Sequence, residues 1–350
     1  MSGGVDSAVA AALLAEQGHA CIGVTLRLTP EHGKTSLFEP CCGLEAAQDA
    51  RRACESLGIP HHVVYALDRF EQEVITPFLE AYRSGRTPNP CIWCNRRIKF
   101  QVLLEHARKT GASHIAMGHF ARVEERGGRM ALRRGVHRPK DQSYVLAWLS
   151  QEQLACTLFP LGGMTKEAVR GYARERGLSV AARPESQEIC FVPTNDYGAF
   201  IESRTGGMAP GPIVSVAGEV LGRHKGLMHY TVGQRRGLGI AAARPLYVVR
   251  LDPARNAVIV GFEEATECVS FTTGPLHWVG SAPQTAPVSC LVQVRSRHQA
   301  APAVLFPGDG GAAVRLDSPQ RSVTPGQWAV FYDAEDYVIA AGIIETFQGA

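Results

Sequence analysis

Ser2-Gly3-Gly4-Val5-Asp6-Ser7 sets two glycines between hydroxyl groups, and an alanine-rich run follows at once. Glycine lacks a Cβ, so its backbone can take positive φ and bring N–H groups close to an anion. Ser2 and Ser7 add hydroxyl donors. Val9, Ala10, Leu13 and Leu14 then recur at helical spacing until Gly18. The loop is therefore expected on a helix N-terminus, whose exposed N–H groups and dipole favour negative charge. A pyrophosphate would fit there, which points to an enzyme that uses ATP. The spacing is not that of a Walker loop, because no Lys-Ser or Lys-Thr pair follows the second glycine. The plainer reading is a Ser/Gly turn capping an ordinary helix.

A second chemical feature is Thr87-Pro88-Asn89-Pro90-Cys91-Ile92-Trp93-Cys94-Asn95, followed by Arg96, Arg97 and Lys99. Two prolines stiffen the segment and place the cysteines at a turn ahead of a helix. There the helix N-terminus and nearby cations would lower a thiol pKa and favour a nucleophilic thiolate. A zinc or iron–sulfur half-site and a thioredoxin-like pair are alternative readings of this C-x-x-C. Zinc would want a second pair, and the adjacent Cys41-Cys42 lack the usual ligand spacing. A third feature, Ser186-Gln187-Glu188-Ile189-Cys190-Phe191, carries another cysteine. Flanked by Ile189 and Phe191, Cys190 by itself reads as a buried apolar cysteine.

These segments must be positioned by a chain of 350 residues, long enough for two or three domains. In the first half, strand-like runs (Cys21 to Leu28, His61 to Tyr65, His114 to Met117) alternate with helical ones (Leu44 to Leu57, Phe70 to Ser84, Arg97 to Lys109). That order implies an α/β domain with a parallel sheet flanked by helices. Helical stretches continue over Lys166 to Arg176 and Pro193 to Arg204. From Ile213 onward short β-branched runs separated by Gly, Pro and Asp take over: Ile213 to Val216, Leu246 to Leu251, Val258 to Val260, Ser289 to Val294 and Trp328 to Tyr332. The expected organisation is an α/β domain over 1–193 and two small, mainly β units over 194–267 and 268–350. No repeat or low-complexity segment is evident.

Composition narrows the setting. A hydrophobic fraction of 45% with 20% charged residues is that of an ordinary soluble protein. No run suits an export signal or a membrane span. Ten cysteines without export features are expected to be reduced thiols in a cytoplasmic protein, some of them chemical. A formal net charge of +3 does not by itself indicate a nucleic-acid partner. Four local clusters suit phosphate contacts: Arg96, Arg97 and Lys99; Arg133, Arg134, Arg138 and Lys140; Arg235 and Arg236; Arg295 and Arg297. Each alone is more often solvated surface.

The S-G-G-x-D-S loop resembles that of the PP-loop ATP pyrophosphatases, which cleave ATP between the α and β phosphates and adenylate a substrate oxygen. With the P-N-P-x-x-x-C-N segment and Cys190, the chain resembles the tRNA-specific 2-thiouridylases, which place sulfur on C2 of the wobble uridine. The likeness extends through Met117-Gly118-His119, Lys140-Asp141-Gln142-Ser143-Tyr144, Gly226-Leu227-Met228, Gly233-Gln234-Arg235-Arg236-Gly237-Leu238-Gly239 and Thr324-Pro325-Gly326-Gln327.

The resemblance implies a Rossmann-like PP-loop fold and roles for individual residues. ATP, with Mg2+ offsetting its phosphates, would be bound by Met1, Ser2, Gly3, Gly4, Val5, Asp6, Ser7, Leu26 and Gly118, although Leu26 also reads as core packing. Cys190 would carry a persulfide delivered by a sulfur carrier or cysteine desulfurase. Cys94 would be the nucleophile that releases the sulfur by forming a redox disulfide with Cys190. Asn89, Pro90 and Cys91 would lie against the flipped target base, and His119, Lys140, Asp141 and Gln142 near the anticodon. Arg295, Ser296 and Gln327 would contact RNA from the β half. The expected partner is a tRNA acceptor for Lys, Glu or Gln.

Three departures from the family pattern matter. Cys91 stands where some members carry an aspartate general acid or base, so the proton role is open. Cys91, Cys94 and Cys190 could alternatively hold an iron–sulfur cluster that binds sulfide directly. Ser296 replaces an aromatic residue, which removes a stacking contact. The hydrophobic strand that the family has before the loop is not present ahead of Ser2, so either the start codon is assigned late or the fold lacks that strand. Other readings are a PP-loop synthetase adenylating a small molecule, and a non-catalytic RNA-binding or iron-carrying descendant.

Overall fold

The computed structural model describes residues 1–29, 44–178, 180–181, 189–192 and 196–349. Cys41, Cys42, Ser186, Gln187, Glu188 and Pro193, all singled out above, lie outside them. The chain divides into two compact units. The first holds residues 1–74, 91–195 and 336–338, and the second holds 75–90, 196–335 and 339–350.

The first unit starts with α1 (Val5–Glu16), whose Val5, Ala8, Val9, Ala10, Ala12 and Leu14 are buried. Strand β1 (Gly23–Arg27) follows, then α2 (Leu44–Ser56) and β2 (His61–Tyr65). The two strands pair in parallel, Gly23 opposite His61 and Arg27 opposite Tyr65, with α2 as the crossover. Helix α3 (Leu67–Phe70) runs into a π-helical turn, Glu71–Ile75, and then into α4 (Thr76–Arg83), which belongs to the second unit. The helix expected over Phe70 to Ser84 is thus interrupted. Pro77 accounts for this: it has no N–H to donate, and its ring would meet the carbonyl one turn back.

After α5 (Pro90–Trp93) comes another π-helical turn, Cys94–Phe100, and then α6 (Gln101–Thr110). Strand β3 (Ile115–Ala116) pairs in parallel with β6 (Thr157–Leu158). Between them, β4 (Ala121–Arg126) and β5 (Arg129–Arg134) form an antiparallel hairpin that the sequence reading missed. Its signal was Gly127-Gly128, both at positive φ of 60° and 76°, as a tight two-residue hairpin turn demands. Short helices α7 (Ser143–Leu146) and α8 (Gln151–Ala155) precede β6, and α9 (Lys166–Glu175) follows it.

Helix α9 buries Lys166, Val169 and Ala173 at helical spacing, and Val169 and Ala173 join Val5, Ala8 and Val9 of α1 in one core. Gly171 lies mid-helix with nothing within 4 Å of the position a Cβ would take. Gly171→Ala is therefore expected to stabilise the protein by about 0.5–1 kcal/mol. Chemical denaturation checks this, and an unchanged or lowered midpoint counts against it.

The second unit contains α4, α10 (Tyr197–Thr205) and two sheets. The first sheet has β7 (Gly211–Ser215), β8 (Val220–His224), β9 (Tyr247–Asp252) and β10 (Ala257–Gly261) in the order β8-β7-β10-β9. Only β7 and β10 run parallel. The second sheet comprises β11 (Glu267–Thr273), β12 (His277–Trp278), β13 (Val288–Gln293), β14 (Ala301–Gly308), β15 (Gly311–Arg321), β16 (Trp328–Tyr332) and β17 (Val338–Gly349). β11 pairs with both β15 and β17, which closes β11-β15-β14-β13-β16-β17 into a six-stranded barrel. Its interior is apolar and includes Phe271, Val292, Leu305, Val314, Phe331 and Ile344. Among the described residues no helix is long and apolar enough to cross a membrane.

Candidate active site

The glycine loop leads straight into α1 as expected. Gly3 sits at φ 70°, and a Cβ there would overlap the backbone of Ala46 in α2. Gly4 is the N-cap in extended conformation, and no side chain caps the helix. Ser2 N donates to Ser7 Oγ at 3.1 Å, and Ser7 Oγ donates to Gly4 O at 3.0 Å, so the hydroxyls brace the loop. An uncapped N-terminus on a helix of 12 residues leaves first-turn N–H groups for an anion.

The loop touches β1 and the segment after β3. Met1's amino group donates to Val24 O, and Thr25 Oγ1 donates to Met1 O at 2.9 Å. A Cβ on Gly118 would lie 2.8 Å from Asp6 C and Ser7 N, so Gly118 is pressed against the first turn of α1. Two of the adenosine candidates are thereby located: Gly118 adjoins the loop, and Leu26 is half-buried on β1. Lys166 escaped the sequence reading. It is 5% exposed, and its Nζ lies 2.6 Å from Asp6 Oδ1. A lysine amid helical residues carries no local signal, because only the packing of α9 on α1 brings it to the loop.

His119 follows Gly118 and packs between Phe100 and Phe159, with ring centroids 6.0 and 6.2 Å away. Its Nδ1 is buried and finds no hydrogen-bond partner among the described residues. Desolvation, helped by the charge of Lys99, pushes its pKa down to about 3 from 6.5. The folded state therefore binds fewer protons than the unfolded one within that window. The stability this contributes is complete above about pH 6.5 and is lost as pH falls towards 3. His119→Gln is accordingly expected to flatten the decline of Tm between pH 7 and pH 5, and parallel slopes in wild type and variant refute this.

Gln142 pairs with Phe120 through both backbone and side chain, at 2.9 and 3.0 Å, so the 140–142 segment lies beside His119. Asp141 accepts from Gly135 N at 2.9 Å and Ser143 Oγ at 2.7 Å, and it pairs with Arg134. Its carboxylate therefore shapes this turn from within the protein.

For the cysteines, one expectation is corrected. The helix begins at Pro90, so Cys91 is in its first turn and exposed, while Cys94 is one turn further on and only 6% exposed. Proline suits a helix start because its missing N–H would have no partner there. Cys94 opens the π-helical turn that ends at Phe100, the ring against His119. A continuous line of contacts thus joins the cysteine turn to the glycine loop: Phe100, His119, Gly118, Asp6.

Cys190 is half-buried. Its neighbour Phe191 packs edge-to-face on Phe70 at 5.6 Å, and α3, which carries Phe70, packs on the Cys94–Phe100 turn. Other thiols are placed for structure. Burial pushes Cys268 and Cys290 up to about 11 and about 12, and raises Cys21 and Cys54. Among the described residues no three of His, Cys, Asp or Glu gather as a metal site.

The basic clusters of the first unit have partners within that unit. Arg96 donates to Trp148 O at 2.8 Å, and both Arg96 and Arg97 lie over the Trp148 ring, at 4.5 and 5.0 Å. Arg134 and Arg138 pair with Asp336, and Arg133 pairs with Glu124. Arg134 is thus largely enclosed by its carboxylates, while Arg138 stays exposed beside Asp336.

In the second unit, Gln327 Nε2 donates to Thr87 O at 2.9 Å and Thr87 N donates to Pro325 O at 2.9 Å, which fastens the strap before Asn89 and Pro90 to the barrel. Gln293 holds the turn of Arg295 and Ser296 by donating to both carbonyls at 3.0 Å. A Cβ on Gly233 would lie 3.9 Å from the Arg295 guanidinium, so the loop carrying Arg235 and Arg236 adjoins the Arg295 turn. Arg235, Arg236, Ser296 and Arg297 are exposed there.

A glycine loop on an uncapped helix, set against parallel strand pairs with a buried lysine at its carboxylate, defines a nucleotide-binding α/β domain. Matching family models cover residues 1–194 (tRNA methyl transferase HUP domain), 198–262 (tRNA methyl transferase PRC-barrel domain) and 268–344 (aminomethyltransferase beta-barrel domain). The chain belongs to the tRNA-specific 2-thiouridylase family. It is 47% identical to the tRNA-specific 2-thiouridylase MnmA of Heliobacterium modesticaldum, over 98% of this chain and 91% of that protein. The proteins of the same name from Geotalea uraniireducens and Acetivibrio thermocellus are 49% and 46% identical, each over 99% of this chain and 93% and 98% of their own lengths.

Proposed function

We propose that this protein is an ATP-dependent tRNA-uridine 2-sulfurtransferase that replaces O2 of a wobble uridine by sulfur. The observation that carries this reading is the line of contacts from the glycine loop through Gly118, His119 and Phe100 to the Cys94 turn: one unit holds both a phosphate-binding loop and a candidate nucleophile.

The chemistry needs both parts. Uracil O2 is a poor leaving group. Its attack on the α-phosphate of ATP gives an O2-adenylate and releases pyrophosphate, for which the loop over Ser2 to Ser7 with Gly118 is the binding site. Magnesium bound through phosphate oxygens needs only one or two protein carboxylates, and Asp6 is the carboxylate this loop offers; the ion would offset phosphate charge. Cys190 carries a persulfide supplied by a sulfur carrier or cysteine desulfurase. Its terminal sulfur attacks C2, and AMP departs with the old oxygen. Cys94 thiolate then attacks Cys190 Sγ, the S–S bond to the uridine breaks, and 2-thiouridine leaves with a Cys94–Cys190 disulfide behind it. An external thiol must reduce that disulfide before the next turnover.

On the tRNA side, Asn89, Pro90 and Cys91 are assigned to the flipped base, His119, Lys140, Asp141 and Gln142 to the anticodon region, and Arg295, Ser296 and Gln327 to the RNA backbone. Exposed Arg235, Arg236 and Arg297 add charge beside that last group. The proposed substrates are the Lys, Glu and Gln acceptors, and the proposed division is a catalytic domain over 1–193 with smaller domains over 194–267 and 268–350. Methyl transfer, suggested by the wording of the family models, gains no support from a phosphate loop and a pair of cysteines.

The test is single-turnover thiolation of unmodified tRNA under anaerobic conditions with ATP and a persulfide donor, read by mass spectrometry of nucleosides. ATP-dependent 2-thiouridine is expected. Its absence overturns the reading, and activity appearing only after iron–sulfur reconstitution replaces the two-cysteine route.

A further inference from the structure

Lys166 is a residue whose position the helix it belongs to does not explain. Lysine is seldom buried to 5% exposure unless paired. It is the first residue of α9, at the positive end of that helix, where a cation is disfavoured. Thr165 already caps α9 by accepting from Ala168 N at 3.2 Å, so Lys166 is not needed to finish the helix. Its Nζ instead reaches across to Asp6 at 2.6 Å and lies 5.6 Å over the ring of Phe120.

That location matters because Asp6 is an anion inside a loop suited to anions. Left uncompensated, its carboxylate would repel a triphosphate approaching the first turn of α1. Lys166 cancels that charge from within the fold. The ammonium is also held at the first turn of α1: Asp6, its partner, and Ser7 meet Gly118 through their backbone, and Phe120 follows two residues after Gly118.

We propose that Lys166 is a phosphate-contacting residue of the nucleotide site, positioned by Asp6 to bind the β and γ phosphates of ATP and the pyrophosphate they become. This rests on the ATP-dependent reading above and extends it by a residue far from every motif in the chain. An ammonium carries three donors and can bridge a carboxylate and a phosphate oxygen. The reaction gathers charge on the departing pyrophosphate, so a cation fixed in a partly dry site stabilises the transition state as well as the ground state.

The experiment compares ATP and AMP binding by titration calorimetry in wild type, Lys166→Met and Lys166→Arg. In Lys166→Met the affinity for ATP is expected to fall by about tenfold to a hundredfold, the worth of a charged hydrogen bond. Affinity for AMP, which lacks the β and γ phosphates, is expected to change less than about twofold. Lys166→Arg retains charge and is expected to recover most of the ATP affinity. The double variant Asp6→Asn with Lys166→Met removes the uncompensated carboxylate and is read by its melting temperature alone, expected near wild type, because Asp6 is itself assigned to magnesium and its loss weakens ATP binding whatever Lys166 does. Equal losses for the two nucleotides, or no loss at all, overturn the assignment and make Lys166 a purely structural partner of Asp6. If wild type itself binds no ATP, it is the proposed function that fails.

Discussion

Cys94→Ser is expected to abolish 2-thiouridine formation, by at least about 10³-fold, while leaving ATP binding in place. A serine hydroxyl is roughly the size of the thiol but cannot exchange with a disulfide, so the last step loses its nucleophile. The preceding steps remain possible, and the uridine should stay linked through sulfur to Cys190. That adduct gives the experiment a second readout: Cys94→Ser incubated with ATP, persulfide donor and tRNA should hold RNA that a reducing agent releases as 2-thiouridine. Cys190→Ser, which cannot carry the persulfide, should be equally inactive and form no adduct. Because Cys94 is only 6% exposed, desolvating the new hydroxyl costs about 1–3 kcal/mol, and a melting curve must accompany the assay. Full activity in either variant rules out the two-cysteine relay.

The second large effect is expected from a single methyl group. A Cβ on Gly118 would stand 2.8 Å from the backbone C of Asp6 and N of Ser7, and 2.9 Å from Asp6 O. Backbone atoms at a helix start cannot swing aside as a side chain can, so Gly118→Ala must push the loop away from β3 or shift the 117–119 segment. Either movement displaces the phosphate donors, and a displacement near 1 Å is enough to lower turnover by about 10²-fold. ATP affinity should fall in parallel. Gly163→Ala is the control, since nothing lies within 4 Å of its Cβ position, and it should behave as wild type. Indistinguishable nucleotide binding in Gly118→Ala would mean that the segment after β3 does not support the loop.

The local code of the chain was sufficient for several elements. β2 and β16 span the residues their β-branched runs indicated, His61–Tyr65 and Trp328–Tyr332. α1 starts where the glycine loop ends, because two glycines followed by alanines and leucines admit few other conformations. Local signals failed where two rules competed. A proline inside an otherwise helical run turned one expected helix into α3, a π-helical turn and α4. A Gly-Gly pair that closes the β4–β5 hairpin was passed over between stronger helical patterns.

What this sequence determined by itself was the chemistry available: a glycine loop suited to phosphate, a cysteine at 94 beside cations, and β-rich residues after 213, whereas a role for Cys190 came only with the family resemblance. Residue type and near-neighbour spacing dictate those properties, and they need no distant contact. Only the tertiary structure decided what each charge packs against. Arg96 and Arg97 were legible as a basic pair, yet Trp148, some fifty positions later, takes up both. Lys166 looked ordinary, yet the packing of α9 on α1 buries it against Asp6. Electrostatic and steric effects act over a few ångströms in space whatever the separation along the chain, so pairings between distant segments become visible only once the chain is folded.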